Sequence, residues 1–482
     1  MKNFVYANLE NTRYTPFLLA KKIDARAILE SASFQKGRER FSILMVDEAF
    51  KIVEENKKVF FEIENNRQDF ICENQSRDAL LREKTPDILD ALQYITNQNK
   101  IPDDIQKALK NTRIPLPGAG IGFLSYEFIL NCDKVILGEQ NDPLNLPDAL
   151  FVVGHFYIVL DHFTETIHIF GLNYKEHQID LELSLKKLLK RLKDMDFSYI
   201  EEENENPSFE ILTDLEKSKA EYIEKIKVLK NHIEKGNIIQ AVPSRRMQVK
   251  CDAEPLAVYG KLRKLNPSPY LFYVNFGKFA ILGASPESLI RVRGKTASIH
   301  PIAGTIPRGD SEAKDALLCE QLKADKKERA EHLMLVDLAR NDLGRVCEAG
   351  SVNLTQYAEC EFFSHVIHLV SIVEGRLKDG ISAPEALRAA FPAGTVSGAP
   401  KISAIQIVSA LEKEKRRFYA GAVGYMASGG DIDFCITIRA ALYQNGIYSL
   451  QAGGGIVWDS EPEREWAETV AKLGAMADVL TK

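Results

Sequence analysis

The sequence lacks the features that announce a membrane, a secretory route or a bound transition metal. Its longest apolar run, Ala149 to Leu160, contains His155 and falls well short of the ~20 residues a spanning helix needs. The N-terminal MKNFVYANLENTRY has no apolar signal core, so a cytoplasmic location is expected. Seven cysteines (Cys72, Cys132, Cys251, Cys319, Cys347, Cys360 and Cys435) show neither CxxC nor Cys/His ligand spacing, and reduced thiols are expected. A net charge of -6 gives no general nucleic-acid surface, and the basic cluster Lys413 to Arg417 reads as a solvated face. No internal repeat is present, which excludes a solenoid.

What is there is an ordinary globular composition, 45% hydrophobic and 27% charged, over 482 residues. That length implies two or three domains or one large composite one. The acidic, apolar-free segment Glu201 to Pro207 reads as a linker, dividing an N-terminal region (1–205) from a second region (210–482). Ala27 to Ser31, Arg40 to Val46 and Val59 to Ile63 read as strands. Leu150 to Leu160 and Thr166 to Phe170 flank Asp161-His162 as a hairpin, and Leu181 to Met195 reads as an amphipathic helix. Beyond the linker, Thr213 and Glu216 have capping-box spacing, before a stripe of Tyr222, Ile223, Ile226, Leu229 and Ile233. Ile238 to Val249, Tyr270 to Phe276, Phe279 to Leu282, Leu289 to Val292 and Ala420 to Met426 are further strand candidates. In DIDFCITIR (431–439), Ile432, Phe434, Ile436 and Ile438 alternate with Asp433, Cys435, Thr437 and Arg439, one face apolar and one polar. Short turns between strands, with helices grouped between them, favour α+β over a doubly wound sheet.

Two stretches put acids on helices. In residues 325–342, Glu328 and Glu331 stack one turn apart beside an apolar stripe containing Leu333, Val336 and Leu338. In the C-terminal stretch, Ser460 and Glu463 are spaced as a capping box. Trp466, Val470, Leu473 and Ala477 make the expected buried stripe, and Glu461, Glu465, Glu468 and Lys472 lie roughly opposite. Either face also reads as an ordinary solvated ladder. Gly453-Gly454-Gly455 weakens that reading for the second, because glycines in a strand mark close backbone approach. Acids without a Cys/His cluster suit a hard cation, and Mg2+ better than zinc. Arg439 and Lys472, if they face one cavity, would neutralise a carboxylate ligand. The loop FPAGTVSGAPK (391–401) suits an anion or a plain turn and is not a Walker loop, while His365 and His368 read as one structural and one functional histidine.

Taken together, PIAGTIPRG (301–309), ERAEHLMLVDLARNDLGRV (328–346), SHVIHLVS (364–371), FPAGTVSGAPK, FYAGAVGY (418–425), TIRA and GGGIVWDSEPEREWAET resemble the chorismate-utilising enzymes, and more narrowly their anthranilate synthase large-subunit branch. The motifs cover most of residues 215–480; the likeness through 1–200 is thinner. The resemblance implies two packed β-sheets forming a β-sandwich core with helices outside. It implies Mg2+ held by Glu331 and Glu468, with Glu465 and Glu328 as adjacent second carboxylates. Glu287 in GASPES matches the general acid that protonates the departing C4 hydroxyl, and His368 the histidine beside the leaving group. Thr395, Tyr419, Arg439, Gly453, Gly455 and Lys472 match positions that hold the two substrate carboxylates, and Gly304 and Thr305 line the ring.

Two positions discriminate among relatives. Gln240 stands where the isochorismate and salicylate synthases carry a water-activating lysine, and Ala303 where many aminodeoxychorismate synthases carry a lysine nucleophile. Both favour ammonia attacking C2 of chorismate, supplied by a separate glutamine amidotransferase subunit. Leu29, Glu30 and Ser31, with Asn266, Pro267, Ser268, Pro269 and Tyr270, resemble the family's L-tryptophan feedback site. GRERFS (37–42) departs from the family pattern there. The alternatives are an aminodeoxychorismate synthase and a non-catalytic tryptophan-sensing subunit.

Overall fold

The computed structural model describes residues 2–10, 14–33, 37–38, 40–64, 66–71, 85–109, 112–194, 207–362 and 366–481. Among them, 21 strands join in one hydrogen-bonded network whose pairings are all antiparallel. Antiparallel strands with helices laid on the outside make an α+β fold, as the strand spacing implied.

Two long strands carry the architecture. Phe41–Glu55 and Ala149–Asp161 pair from Phe41↔Asp161 to Glu54↔Ala149, with a register shift between Glu48 and Phe50. The sequence pattern ends the first of these at Val46. It continues because a bulge at Ala49, between Glu48↔Gly154 and Phe50↔Val153, breaks the alternation without ending the pairing. Before the bulge, Ala27–Glu30 pairs alongside and leads through Tyr270–Asn275, Ala280–Ser285, Ala440–Gln444 and Ile447–Gly453 to Ser244–Cys251. Beyond it, Gly120–Leu124 pairs onto Ala149–Asp161 and leads through Ala422–Met426, Ile432–Ile436, Ser288–Arg293 and Thr296–Ile299 to Val366–Arg376. The network therefore has two arms that share their central pair of strands. Both arms draw strands from either side of the expected linker, of which residues 201–206 lie outside the described residues.

The alternation of side chains divides the first arm's two faces. Ala27, Ile43, Met45, Tyr157, Phe272, Ile281 and Leu442 join one core with the second arm. Their neighbours Ile28, Leu44, Phe156, Leu271, Leu282 and Ala441 pack in a second core, under the helices Pro16–Ile23, Leu181–Lys193, Pro255–Leu265 and Pro462–Thr481.

Local expectations fared unevenly. The hairpin stands as Ala149–Asp161 with Thr166–Leu172, and Asp180 caps the helix Leu181–Lys193. The helix Leu215–Glu234 is capped by Asp214, whose side chain accepts from Lys217 N–H, because Thr213 Oγ1 already accepts from Gln248 N–H. Ile238 to Val249 divides into Gln240–Ala241 and Ser244–Cys251 around Pro243. The cysteines are not all reduced: Cys319, on the helix Glu312–Ala324, forms a disulfide with Cys360 on the strand Asn353–Phe362. Their sequence separation of 41 carries no spacing signal, and Cys132, Cys251, Cys347 and Cys435 are free thiols. The cluster Lys413 to Arg417 is a solvated face only at its start, where Lys413 is exposed, whereas Arg416 and Arg417 are buried and paired with Glu412 and with Asp142 and Asp148.

Candidate active site

Two crossings between the arms form the centre of the site. The chain passes from Ala280–Ser285 in the first arm to Ser288–Arg293 in the second, which leaves Glu287 at the crossing. It returns from Ile432–Ile436 to Ala440–Gln444, which leaves Arg439 there. Backbone bonds lace the crossings together: Ile436 N–H donates to Glu287 O at 3.0 Å, and Ala284 N–H to Arg439 O at 3.1 Å. Arg439 turns the chain at φ +51, a region costly for any residue with a Cβ, so its placement is held by the packed strands around it.

Glu287 has the electrostatics of an acid. Burial pushes its carboxyl up to about 7, while Thr395, Arg439 and Lys472 beside it hold the value down. Thr395 Oγ1 is buried and makes no hydrogen bond of good geometry. Arg439 and Lys472 thus both act on the Glu287 carboxyl. The Arg439 charge is also coupled to Glu468, Tyr419 and His368.

His368 sits on the strand Val366–Arg376, where burial lowers its pKa. Its Nδ1 lies 3.0 Å from Gly304 O. A carbonyl only accepts, so the neutral ring carries its proton on Nδ1, and Nε2 is the basic nitrogen. Gly304 takes φ +68 at a bulge, and a Cβ there would stand 3.3 Å from Glu328 Oε2. Glycine suits this position, since a side chain would be strained at that φ and would crowd the Glu328 carboxylate. The Thr305 side chain and His365 lie outside the described residues.

The acidic helices flank this centre, with stripes shifted from those expected. Lys326–Val346 buries His332, Val336, Ala339 and Leu343, whereas Leu333 is 49% exposed. It packs against Ile302–Pro307 and Val366–Arg376, with Glu331 half-buried one turn from Glu328. Pro462–Thr481 buries Thr469, Leu473, Met476 and Leu480, and Val470 is 48% exposed. Its expected capping box is absent, because Ser460 Oγ accepts from Val457 N–H and Glu463 pairs with Lys219. Carboxylate oxygens of Glu465 and Glu468 lie 3.0 and 3.9 Å from where a Cβ on Gly454 would stand. Lys472 bridges Glu468 Oε1 at 2.5 Å and Gly453 O at 2.9 Å.

The candidate donors are all carboxylate oxygens, the chemistry a hard divalent cation takes, but they are carried by two helices, and among the described residues no group of three or more His, Cys, Asp or Glu is assembled to hold a metal ion by itself. Mg2+ takes one or two protein carboxylates and completes its shell with ligand oxygens and water.

Sequence reasoning missed the supports of this site. Tyr222 reads from periodicity as core alone, yet it accepts the Gly454 N–H at 3.1 Å. Gln240, marked in the sequence only as a position that discriminates among relatives, also closes on the glycine turn, its Nε2 2.4 Å from where a Gly455 Cβ would stand. Arg416 donates to Val396 O and Val242 O and lies over the ring of Tyr419, tying the 391–401 loop to the site floor.

A separate cavity of about 380 Å3 is lined by Leu29, Glu30, Ser31, Pro269 and Tyr270, together with Arg40, Phe41, Asp433 and Cys435. Asn266, Pro267 and Ser268 are not in its wall. The Glu30 carboxylate accepts from Arg263 at 2.7 and 2.9 Å and from Tyr259 at 2.8 Å. Asp433 accepts from Arg291 and Tyr270. Arg40 and Phe41 do line it, although their segment departs from the family pattern. Two residues of the polar face that the alternation marked out in DIDFCITIR, Asp433 and Cys435, therefore belong to this cavity's wall, while Arg439 acts on Glu287.

An antiparallel α+β fold with an acid, a histidine, two cations and carboxylate-bearing helices converging at its crossings defines the class: the chain belongs to the chorismate binding enzymes, whose family model matches residues 48–478. Among curated proteins it is 45% identical to anthranilate synthase component 1 of Spirochaeta aurantia, across 96% of this chain and 93% of that one. It is 35% identical to the protein of the same name from Bacillus subtilis, across 96% and 89%. Among solved structures, anthranilate synthase component I from Streptococcus pneumoniae superposes with a TM-score of 0.76 at 35% identity, covering 91% of this chain and 92% of that one. A menaquinone-specific isochorismate synthase from Escherichia coli, 17% identical with a TM-score of 0.69, shares the fold across 99% and 94%.

Proposed function

We propose that this chain converts chorismate and ammonia to anthranilate, pyruvate and water. The observation that carries the reading is 45% identity over 96% of the chain to an anthranilate synthase component 1. At the site, Arg439, Lys472 and the backbone of Gly453 and Gly455 receive the two substrate carboxylates. Hydroxide is a poor leaving group, so Glu287, protonated near neutral pH, delivers a proton to the C4 oxygen as ammonia bonds to C2 and the ring double bonds shift. Water departs. His368 Nε2, the basic nitrogen because Nδ1–H is held by Gly304 O, is the base we assign to take the ring proton as pyruvate leaves and the ring aromatises.

Mg2+ held by Glu331 and Glu468, with Glu328 and Glu465 beside them, would neutralise the ring carboxylate against the acidic helices. The relatives' designation as a component 1 supports a second component, which we infer to be a glutaminase supplying the ammonia. The cavity at Glu30 and Tyr270 supports feedback by tryptophan. Its volume lies within the roughly 300–1,000 Å3 of small-molecule sites, and its wall joins apolar surface to fixed charges. We further read the two arms as a β-sandwich packed face to face, supported by the single core that one face of the first arm shares with the second.

Incubation with chorismate, Mg2+ and ammonium, followed by chromatographic product identification, tests the reaction. A 4-amino product would instead assign an aminodeoxychorismate synthase, against Gln240 and Ala303.

A further inference from the structure

One peptide group in the site is gripped at both ends. The Gly453–Gly454 peptide presents its carbonyl to Lys472 Nζ at 2.9 Å and its N–H to Tyr222 Oη at 3.1 Å. Tyr222 is fully buried on the helix Leu215–Glu234, far from the catalytic motifs in sequence. Its ring packs against Trp466 at 6.2 Å, and the Arg245 guanidinium covers the Trp466 ring at 4.0 Å. Arg245 is anchored in turn, its Nε donating to Thr469 Oγ1 at 2.7 Å. A stack running from Arg245 through Trp466 therefore fixes where the phenol oxygen sits. Tyr222 Oη and Glu465 Oε2 both lie within 3.3 Å of one point beside Gly454 Cα.

A glycine peptide has no side chain to resist rotation, and three successive glycines multiply that freedom. Lys472 alone cannot hold the plane, because its ammonium is a point charge on a flexible stem that is also shared with Glu468. A buried phenol oxygen accepting the N–H supplies the second fixed point. Rotation of the peptide would strand that N–H without an acceptor and turn its carbonyl toward the anionic substrate.

We propose that Tyr222 is a positioning residue for substrate binding, locking the Gly453–Gly454 peptide so that the glycine turn meets a substrate carboxylate with N–H groups and cations rather than with a carbonyl oxygen. This rests on the chorismate reading of the same site. The phenol does not touch the reacting atoms, so its effect falls on binding more than on the chemical step.

Tyr222→Phe is compared with Tyr157→Phe, which deletes an equivalent buried bond from Gly154 N–H to a phenol oxygen, at 2.9 Å, outside the catalytic groups. For Tyr222→Phe the expected result is a rise in KM for chorismate of roughly tenfold, the scale of one stranded buried donor, with kcat within about twofold. Tyr157→Phe leaves KM unchanged whatever it does to thermal stability. The second readout is the rise in Tm that chorismate alone gives the metal-free protein, present in wild type and Tyr157→Phe and diminished in Tyr222→Phe. An unchanged KM together with a wild-type chorismate shift in Tyr222→Phe overturns the proposal. So does a fall in kcat at constant KM, the mark of a merely structural role. Wild-type protein that neither binds nor consumes chorismate instead overturns the functional reading beneath it.

Discussion

Arg416 and Glu412 form an ion pair at 2.7 Å under the 391–401 loop, both of them buried, and Arg416 also donates to the carbonyls of Val396 and Val242. Two opposed charges out of water add little by themselves, but removing one strands the other. Arg416→Ala should therefore cost about 3–5 kcal/mol in urea unfolding. Glu412→Gln together with Arg416→Met should cost less than Arg416→Ala alone. A single variant of wild-type stability would contradict the buried geometry.

Glu287 makes activity depend on pH in a defined direction. Although the residue is only half covered by area, its carboxyl is enclosed, and burial raises its pKa to about 7. If the protonated form is the acid, kcat/KM should fall as pH rises through 7 on this limb. Stability follows the same sign. The folded value lies above the ordinary carboxylate value, so the group's contribution is fully present below about 4.5 and is lost as pH rises through 7. Glu287→Gln should cut kcat by at least roughly a hundredfold and flatten both profiles. A Gln variant that retains the wild-type alkaline limb would assign that limb to another group.

The metal reading is tested by charge removal without loss of shape. Glu331→Gln and Glu468→Gln should each abolish Mg2+-dependent turnover while melting near the wild-type temperature. Titration calorimetry with Mg2+ and chorismate should lose the metal-dependent heat. Full turnover in both variants would refute the assignment.

Much of the fold was legible in the sequence because strand alternation and turn residues are local. What was not legible depended on competition between distant groups. Thr213 and Ser460 have the spacing of helix caps, but their hydroxyls accept from Gln248 and Val457 instead. Val470 and Leu333 fit an apolar stripe by period, yet the actual contact lines run through Thr469 and His332. Arg416 looked solvated because its partners are carbonyls and a glutamate that only the fold brings near. Glu287 and Arg439 were marked by motif, while their meeting at two arm crossings is a property of topology. Tyr222 gave no signal beyond its place in a stripe, since a core tyrosine and a site-positioning one share the same periodicity.

Glu30, held by Arg263 and Tyr259, places a fixed carboxylate in the wall of the second cavity. Glu30→Gln should weaken tryptophan inhibition by roughly tenfold or more, the worth of one charge-assisted contact, and leave uninhibited turnover within about twofold. Unchanged inhibition would move the effector elsewhere.

The disulfide between Cys319 and Cys360 should add roughly 4 kcal/mol of stability on a chain-entropy basis. Cys319→Ser should lower the Tm of the oxidised protein and abolish its response to a dithiol reductant. Peptide mapping that finds both thiols alkylated without reduction would contradict the bond.

The central claim is most directly tested by following purified chain with chorismate, Mg2+ and ammonium, recording anthranilate fluorescence and pyruvate together. The account predicts equimolar appearance of both, strict dependence on ammonium and Mg2+, and loss of both signals in Glu287→Gln. Well-folded protein that releases no anthranilate, or releases pyruvate with a 4-amino product, would contradict it.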